Sequence, residues 1–218
     1  MEIKNKHIFW EALILAIFIF IIGIFLGYLM EKNRTSQLVS LYQQSELDLL
    51  DLQIQENALS LRRFDCNIAT SELINFANRV YDEARLLERY EGANEFSKEI
   101  IIQHKKYDLL RALLWVDSIG VKERCNESFD NLVYFYNYQS ADLDVISAQN
   151  VMSKKLLETK TKYGEKIILI PIAGNLNISS IDYLKSSYNI TSIPAILVNE
   201  KIIIDDFNEL DKLESYLF

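Results

Sequence analysis

The sequence predicts a mixed α/β protein in which an apolar transmembrane helix and an α-helical stalk and hairpin precede a C-terminal α/β domain. Three observations lead there. The run Ala12–Met30 is apolar throughout, apart from Gly23, Gly27 and Tyr28. Residues 31–125 contain no proline and only Gly92 and Gly120 as glycines. From Leu132 onward, short Ile-, Val-, Leu- and aromatic-rich runs alternate with polar stretches of helical length. The expected divisions are 1–30 for tail and anchor, 31–128 for stalk and hairpin, and 129–218 for the α/β domain.

The first element is the anchor. A helix of about 20 residues rising ~1.5 Å per residue crosses a hydrocarbon core of about 30 Å. Trp10 and Tyr28 bracket the run, where aromatic rings sit at the two interfaces. A cleaved signal peptide has a shorter apolar stretch and a small-x-small cleavage site, and Gly27-Tyr28-Leu29-Met30-Glu31 offers none. An uncleaved span is therefore expected. On a helical wheel Ala12, Ala16, Gly23 and Gly27 share one side, and Gly23-x-x-x-Gly27 permits close backbone approach, so homo-oligomerisation through the span is an open possibility.

Charge excludes some partners. The chain carries a net charge of −8 over 218 residues, and Glu2 and Glu11 cancel Lys4 and Lys6 before residue 31. The acidic excess thus lies entirely beyond the membrane. It lacks the basic footprint of a nucleic-acid binder, and it disfavours peripheral attachment to anionic lipid. Lys4 and Lys6 before the span balance Lys32 and Arg34 after it, so charge alone does not orient the anchor.

Helices follow, near 35–63, 70–90 and 94–118. Leu47, Leu50, Ile54, Ala58 and Leu61 form one apolar stripe, with Leu49, Leu52 and Leu59 beside it. A helix apolar on two faces wants more than one neighbour, either within a bundle or in a coiled coil with another chain. Leu73, Phe76, Val80, Ala84 and Leu87 make the next stripe, broken by Gly92; Phe96, Ile100, Tyr107, Leu110 and Leu114 make the third. The short Gly92 connection makes the last two helices antiparallel. That brings Cys125 back beside Cys66, and these are the chain's two cysteines. A disulfide between them is expected, which places the bulk of the chain outside the reducing cytosol with the N-terminus inside. Sequons at Asn33, Asn126, Asn177 and Asn189 permit that orientation without establishing it.

In the C-terminal part, Leu132–Tyr136 and Ile167–Ile170 read as strands buried on both faces. Helices are expected over 144–163, ended by Gly164, and over 179–188. Thr191–Val198, a turn at Asn199-Glu200-Lys201, and Ile202–Ile204 form a β-hairpin, and a last helix begins near Asn208.

This order resembles the thioredoxin fold over residues 130–218, with Ile193-Pro194 at the position of that family's cis-proline. The resemblance implies that the redox Cys-x-x-Cys would open the helix after the first strand. Ser140 and Leu143 occupy those two positions, so the domain cannot form a reactive thiolate there. Ser140, Asp142 and Asp144 are candidate helix caps instead. The resemblance also implies that the backbone at Ile193 and Pro194 can pair with an extended polypeptide, with Tyr136 and Tyr138 beside it.

No four-ligand metal spacing, phosphate-cradling glycine loop or nucleophile elbow occurs in the chain, so neither cofactor nor metal is expected. His104 stands beside Lys105 and Lys106 and is read as part of a solvated face. The expected function is binding or assembly of a protein partner at the membrane, without catalysis. Two alternatives stand beside it: thiol–disulfide exchange by Cys66 and Cys125, and a structural subunit of a membrane complex.

Overall fold

The computed structural model describes residues 9–29, 65–91, 98–125 and 129–217. The expected stalk helix, the Gly92 turn and the Asn33 and Asn126 sequons lie outside the described residues. The chain divides into two compact units, Met1–Glu46 and Leu47–Phe218.

In the first unit, helix α1 (Phe9–Leu29) has 21 residues and is apolar enough to cross a bilayer, a test that a signal sequence also passes. Its rise of about 32 Å matches the hydrocarbon thickness.

The second unit begins, among described residues, with α2 (Cys66–Glu91) and α3 (Lys98–Cys125). Helix α2 starts earlier than its apolar stripe implies because the Asp65 carboxylate accepts the Asn67 and Ile68 N–H groups at 3.0 and 3.3 Å. Helix α3 continues past Ser118 because Val121 is buried in the core, and Lys122 and Arg124 suit its negative C-terminal end. Cys66 and Cys125 are joined as a disulfide, their Cα atoms 5.5 Å apart.

Strands β1 (Asp130–Tyr136), β2 (Ile167–Ala173), β3 (Ala195–Val198) and β4 (Ile202–Ile204) form one mixed sheet in the order β2-β1-β3-β4. Strand β1 is parallel to β2 and antiparallel to β3, which is antiparallel to β4. Pro171 is tolerated because, among the described residues, β2 is an edge strand with one unpaired side. Asn199 and Glu200 both have positive φ, at 50° and 57°, within the three-residue turn that joins Val198 to its register partner Ile202. A polar set holds this turn: Trp115 Nε1 and Asn131 Nδ2 donate to Glu200 Oε1 at 2.9 and 3.0 Å, and Lys122 Nζ donates to Asn199 Oδ1 at 2.6 Å.

Side chains alternate along each strand, so both faces of the sheet need cover. Val133, Phe135, Ile170 and Ile172 pack with α3 residues Leu110, Leu114 and Trp115 and with Ile181 of α5 (Ser179–Ser187). Leu132, Tyr134, Ile196 and Val198 pack with Met152 and Leu156 of α4 (Leu143–Tyr163) and with Leu210, Leu213 and Leu217. Because α2 residues Leu73, Phe76 and Val80 belong to the first cluster, the hairpin and the sheet share one core across residue 129.

The expected last helix is interrupted. A single turn, α6 (Phe207–Leu210), capped by Asp206, gives way to a 3₁₀ turn at Leu213–Tyr216. Glu214 on that turn accepts hydrogen bonds from Lys155 Nζ at 3.3 Å, Tyr163 Oη at 3.0 Å and Lys162 Nζ, fastening the C-terminal segment to α4. These donors, Lys162 first, lower the Glu214 pKa from 4.5 to about 2. A carboxylate depressed in the folded state contributes stability above its unfolded value and loses it as pH falls through the folded one. Stability of wild type relative to Glu214→Gln is therefore expected to be constant above pH 5 and to decline toward about pH 2. Urea unfolding at stepped pH measures this difference, and a flat profile would refute the clamp.

Candidate functional site

Strands β1 and β2 run parallel and end together at Tyr136 and Ala173, which are paired in register. Open α/β sheets bind ligands outside the carboxyl ends of such strands. The chain enters β3 at the same end through Ile193-Pro194, whose peptide bond is cis, because Ala195 is paired with Phe135. Ile193 and Pro194 are half-buried. A Cβ on Gly174 would meet Ile193 Cδ1 at 3.1 Å, so a side chain there requires Ile193 to give by a few tenths of an ångström.

The loop leaving β1 is held by side-chain amides. The Asn137 N–H donates to Gln149 Oε1 at 2.7 Å, and Gln149 Nε2 donates back to the Asn137 carbonyl at 3.2 Å. Asn175 treats Tyr138 in the same way, accepting its N–H at 2.8 Å and donating to its carbonyl at 2.9 Å. Two reciprocal clamps thus pair backbone groups that would otherwise be unpaired and costly. They also fix where Tyr136 and Tyr138 sit.

Ser140 and Leu143, the positions that the resemblance assigns to redox thiols, lie where this loop becomes α4. Ser140 Oγ accepts the Asp142 N–H at 3.2 Å. Asp142 is the N-cap, its Oδ1 accepting from Asp144 and Val145 at 2.9 and 3.4 Å, while Asp144 falls in the first turn. Leu143 is 76% exposed and opens the helix without chemistry. The start of α4 is therefore occupied by capping oxygens. Both cysteines lie elsewhere: Cys125 is 21 residues beyond His104 on α3, about 32 Å along the helix.

Behind the tyrosines lies a charged cluster that the sequence reading missed. His104 is 6% exposed, so its assignment to a solvated face is wrong. On a helix, His104, Asp108, Arg111 and Trp115 share one side, and on α3 that side faces the sheet. His104 Nε2 is 2.8 Å from the Tyr136 hydroxyl, and its ring stacks on Tyr138 with centroids 3.9 Å apart. Asp108 Oδ1 accepts from Arg111 Nη1 and from the Ala173 backbone N–H, both at 3.2 Å. Asp108 Oδ2 lies 3.7 Å from His104 Nε2 and has no hydrogen-bond partner among the described residues.

Burial pushes the Asp108 carboxyl up, against the pull of Arg111, His104 and the Ala173 N–H. Burial also opposes the Arg111 charge, but Tyr136 and Asp108 outweigh it and hold the guanidinium above its ordinary value. This cluster is too enclosed to present a nucleophile. What it does is tie α3 to the carboxyl ends of β1 and β2 and set the orientation of both tyrosines. The spacing of His104, Asp108 and Arg111 was visible in the sequence, but that spacing equally describes a solvated helical face.

The candidate packing residues of the span, Ala12, Ala16, Gly23 and Gly27, all lie on α1 and are exposed. A Cβ at Gly23 or Gly27 would meet nothing within 4 Å.

No family model matches the chain, and no curated protein does. Among solved structures it is similar to one described as "Structure of a malarial protein", with 17% identity over 40% of this chain and 92% of that one. The TM-score is 0.31, a likeness that carries no argument about fold or function.

Proposed function

We propose that this protein is a membrane-anchored, extracytoplasmic binding or assembly protein whose C-terminal part is a redox-inactive thioredoxin-like domain. The sheet order β2-β1-β3-β4, with α3 and α5 on one face and α4 and α6 on the other, supports the thioredoxin-like reading. The observation that carries the function is the start of α4. There Ser140 and Asp142 supply capping oxygens at the helix start, where thiols would be needed for exchange. Affinity at the Ile193-Pro194 edge comes from strand-like pairing of a polypeptide with the Ile193 backbone and from contact with Tyr136. The Cys66–Cys125 disulfide supports an oxidising compartment, with the anchor's N-terminus in the cytoplasm.

Co-purification from mild detergent tests this reading. Ile193→Asp places an uncompensated charge at the edge, and Leu143→Glu does so at a side chain whose exposure spares the fold. Both are expected to reduce recovery of the protein partner severalfold while the melting temperature of Leu143→Glu stays at the wild-type value. Full recovery from both folded variants would place the binding surface elsewhere.

A further inference from the structure

Two neighbours make opposite demands on one ring nitrogen of α3. His104 Nε2 is 2.8 Å from the Tyr136 hydroxyl and 3.7 Å from Asp108 Oδ2. The direction of the first contact follows from Arg111. A guanidinium has donors only, and Arg111 is hydrogen-bonded to the Tyr136 oxygen as well as to Asp108 Oδ1. The phenol oxygen is thus already an acceptor, and its single hydrogen points to His104 Nε2. That makes Nε2 the bare nitrogen of a neutral ring whose hydrogen sits on Nδ1. Asp108 Oδ2 asks for the reverse. It belongs to a fully buried side chain and has no hydrogen-bond partner among the described residues. An orphaned buried acceptor is costly, and a hydrogen on Nε2 would satisfy it.

We propose that His104 and Asp108 form a proton-uptake switch that controls the Tyr136 hydroxyl. One proton taken up on Nε2 ends its role as acceptor. The Tyr136 O–H must then turn away, and Nε2–H donates to Asp108 Oδ2, while Oδ1 keeps Arg111 and the Ala173 N–H. A charge-assisted N–H···O bond spans about 2.7–2.9 Å, so the ring moves by about 1 Å. Its stacking on Tyr138, with centroids 3.9 Å apart, permits a slide along that face, and an imidazolium is attracted to the phenol ring.

The surroundings suit a single added charge. Among the described residues, Asp108 and Arg111 flank His104 on its own helix, where Lys105, Lys106 and Tyr107 follow it; Tyr136 faces it from β1 and Tyr138 from the next loop. Strand β2 contributes an uncharged group, the Ala173 N–H; α2 brings Leu73, Phe76 and Val80 to the core; and Asp182 and Lys185 of α5 pair with each other at 2.9 Å. Arg111 opposes a second cation, and the Asp108 carboxylate, with one oxygen toward each, offsets that repulsion. Tyr136 is half-buried at the end of β1, so the hydroxyl it releases becomes available at the carboxyl edge of the sheet. The switch acts within the chain and does not depend on what binds at that edge.

NMR of the full-length protein in detergent tests it, with histidine labelled by ¹⁵N in the ring and tyrosine by ¹³C at Cζ. His7→Gln leaves His104 as the observed ring. Over about pH 4–9, which brackets histidine ionisation, the neutral ring is expected to carry its hydrogen on Nδ1, and the Tyr136 Cζ resonance to move with the same midpoint as the ring. Two variants shift that midpoint in opposite directions. Asp108→Asn removes the charge that favours the imidazolium and lowers the midpoint by about one pH unit or more. Tyr136→Phe removes the donor that favours the neutral ring and raises it. A merely structural histidine shows no such opposed pair. A neutral ring with its hydrogen on Nε2 would overturn the proposal, as would a ring of constant charge across the range or a Tyr136 resonance with a different midpoint. A midpoint unmoved by Tyr136→Phe would overturn it too, and that variant with the wild-type spectra decides the matter even where Asp108→Asn does not fold.

Discussion

Replacing Cys66 and Cys125 together by serine is expected to lower the unfolding free energy of the C-terminal unit by about 4 kcal/mol on the loop-entropy model. The two residues are 59 apart in sequence, and the bond closes the whole α2–α3 hairpin at its base. Without it, the unfolded chain regains the freedom of a loop of that length. A loss of this size is expected to lower the melting temperature of a unit of this size by roughly 8–16 °C. Thermal denaturation with and without reductant measures the effect on the natural chain, and the serine pair should reproduce the reduced value. Because the bond ties the hairpin and not the carboxyl end of the sheet, the partner binding proposed for the Ile193 edge is expected to survive wherever the domain remains folded. A melting temperature unmoved by reductant would show that the bond contributes nothing to the fold.

Removing one member of the buried ion pair is expected to have a comparable effect by a different route. Asp108→Ala leaves the Arg111 guanidinium enclosed without its carboxylate and strips the Ala173 N–H of its acceptor. Breaking a buried pair in this way costs about 3–5 kcal/mol. Replacing both residues by apolar ones of similar volume, Asp108→Leu with Arg111→Met, is expected to recover most of that loss, because desolvation of the two charges disappears with the pair. Denaturant unfolding of Asp108→Leu, Arg111→Met and the double completes the cycle. The pH dependence has a defined sign. Burial raises the Asp108 value in the folded protein, so its contribution to stability is greatest below the unfolded value and is lost as pH rises through the folded one. Asp108→Asn should remove that slope. Additive losses in the double variant would refute the pairing.

The elements readable from the chain alone were those whose cause is local or periodic. Leu132–Tyr136 and Ile167–Ile170 announced themselves as strands buried on both faces, and the structure adds two or three residues at their ends. Asp142 and Gly164 bound α4 because a carboxylate at one end and a glycine with positive φ at the other satisfy the helix's own terminal groups. The cysteine pair followed from two helices of similar length joined by a short connection. The C-terminal helix was misjudged because Leu210, Leu213 and Leu217 bind the sheet from a bent segment, and their spacing fits an unbroken helix equally well.

What the sequence determined by itself is an apolar span, two long helices, alternating strands and helices, and side chains other than cysteine at Ser140 and Leu143. These depend on composition, periodicity and capping, all of which act within a few residues. Only the tertiary structure decided that the charged stripe of α3 turns inward onto Tyr136 and the ends of β1 and β2. The same holds for the core that the hairpin and sheet share. A polar residue at helical spacing does not reveal whether water or a buried partner satisfies it. The partner of Asp108 at Ala173 lies 65 residues away along the chain, and only folding brings the two together.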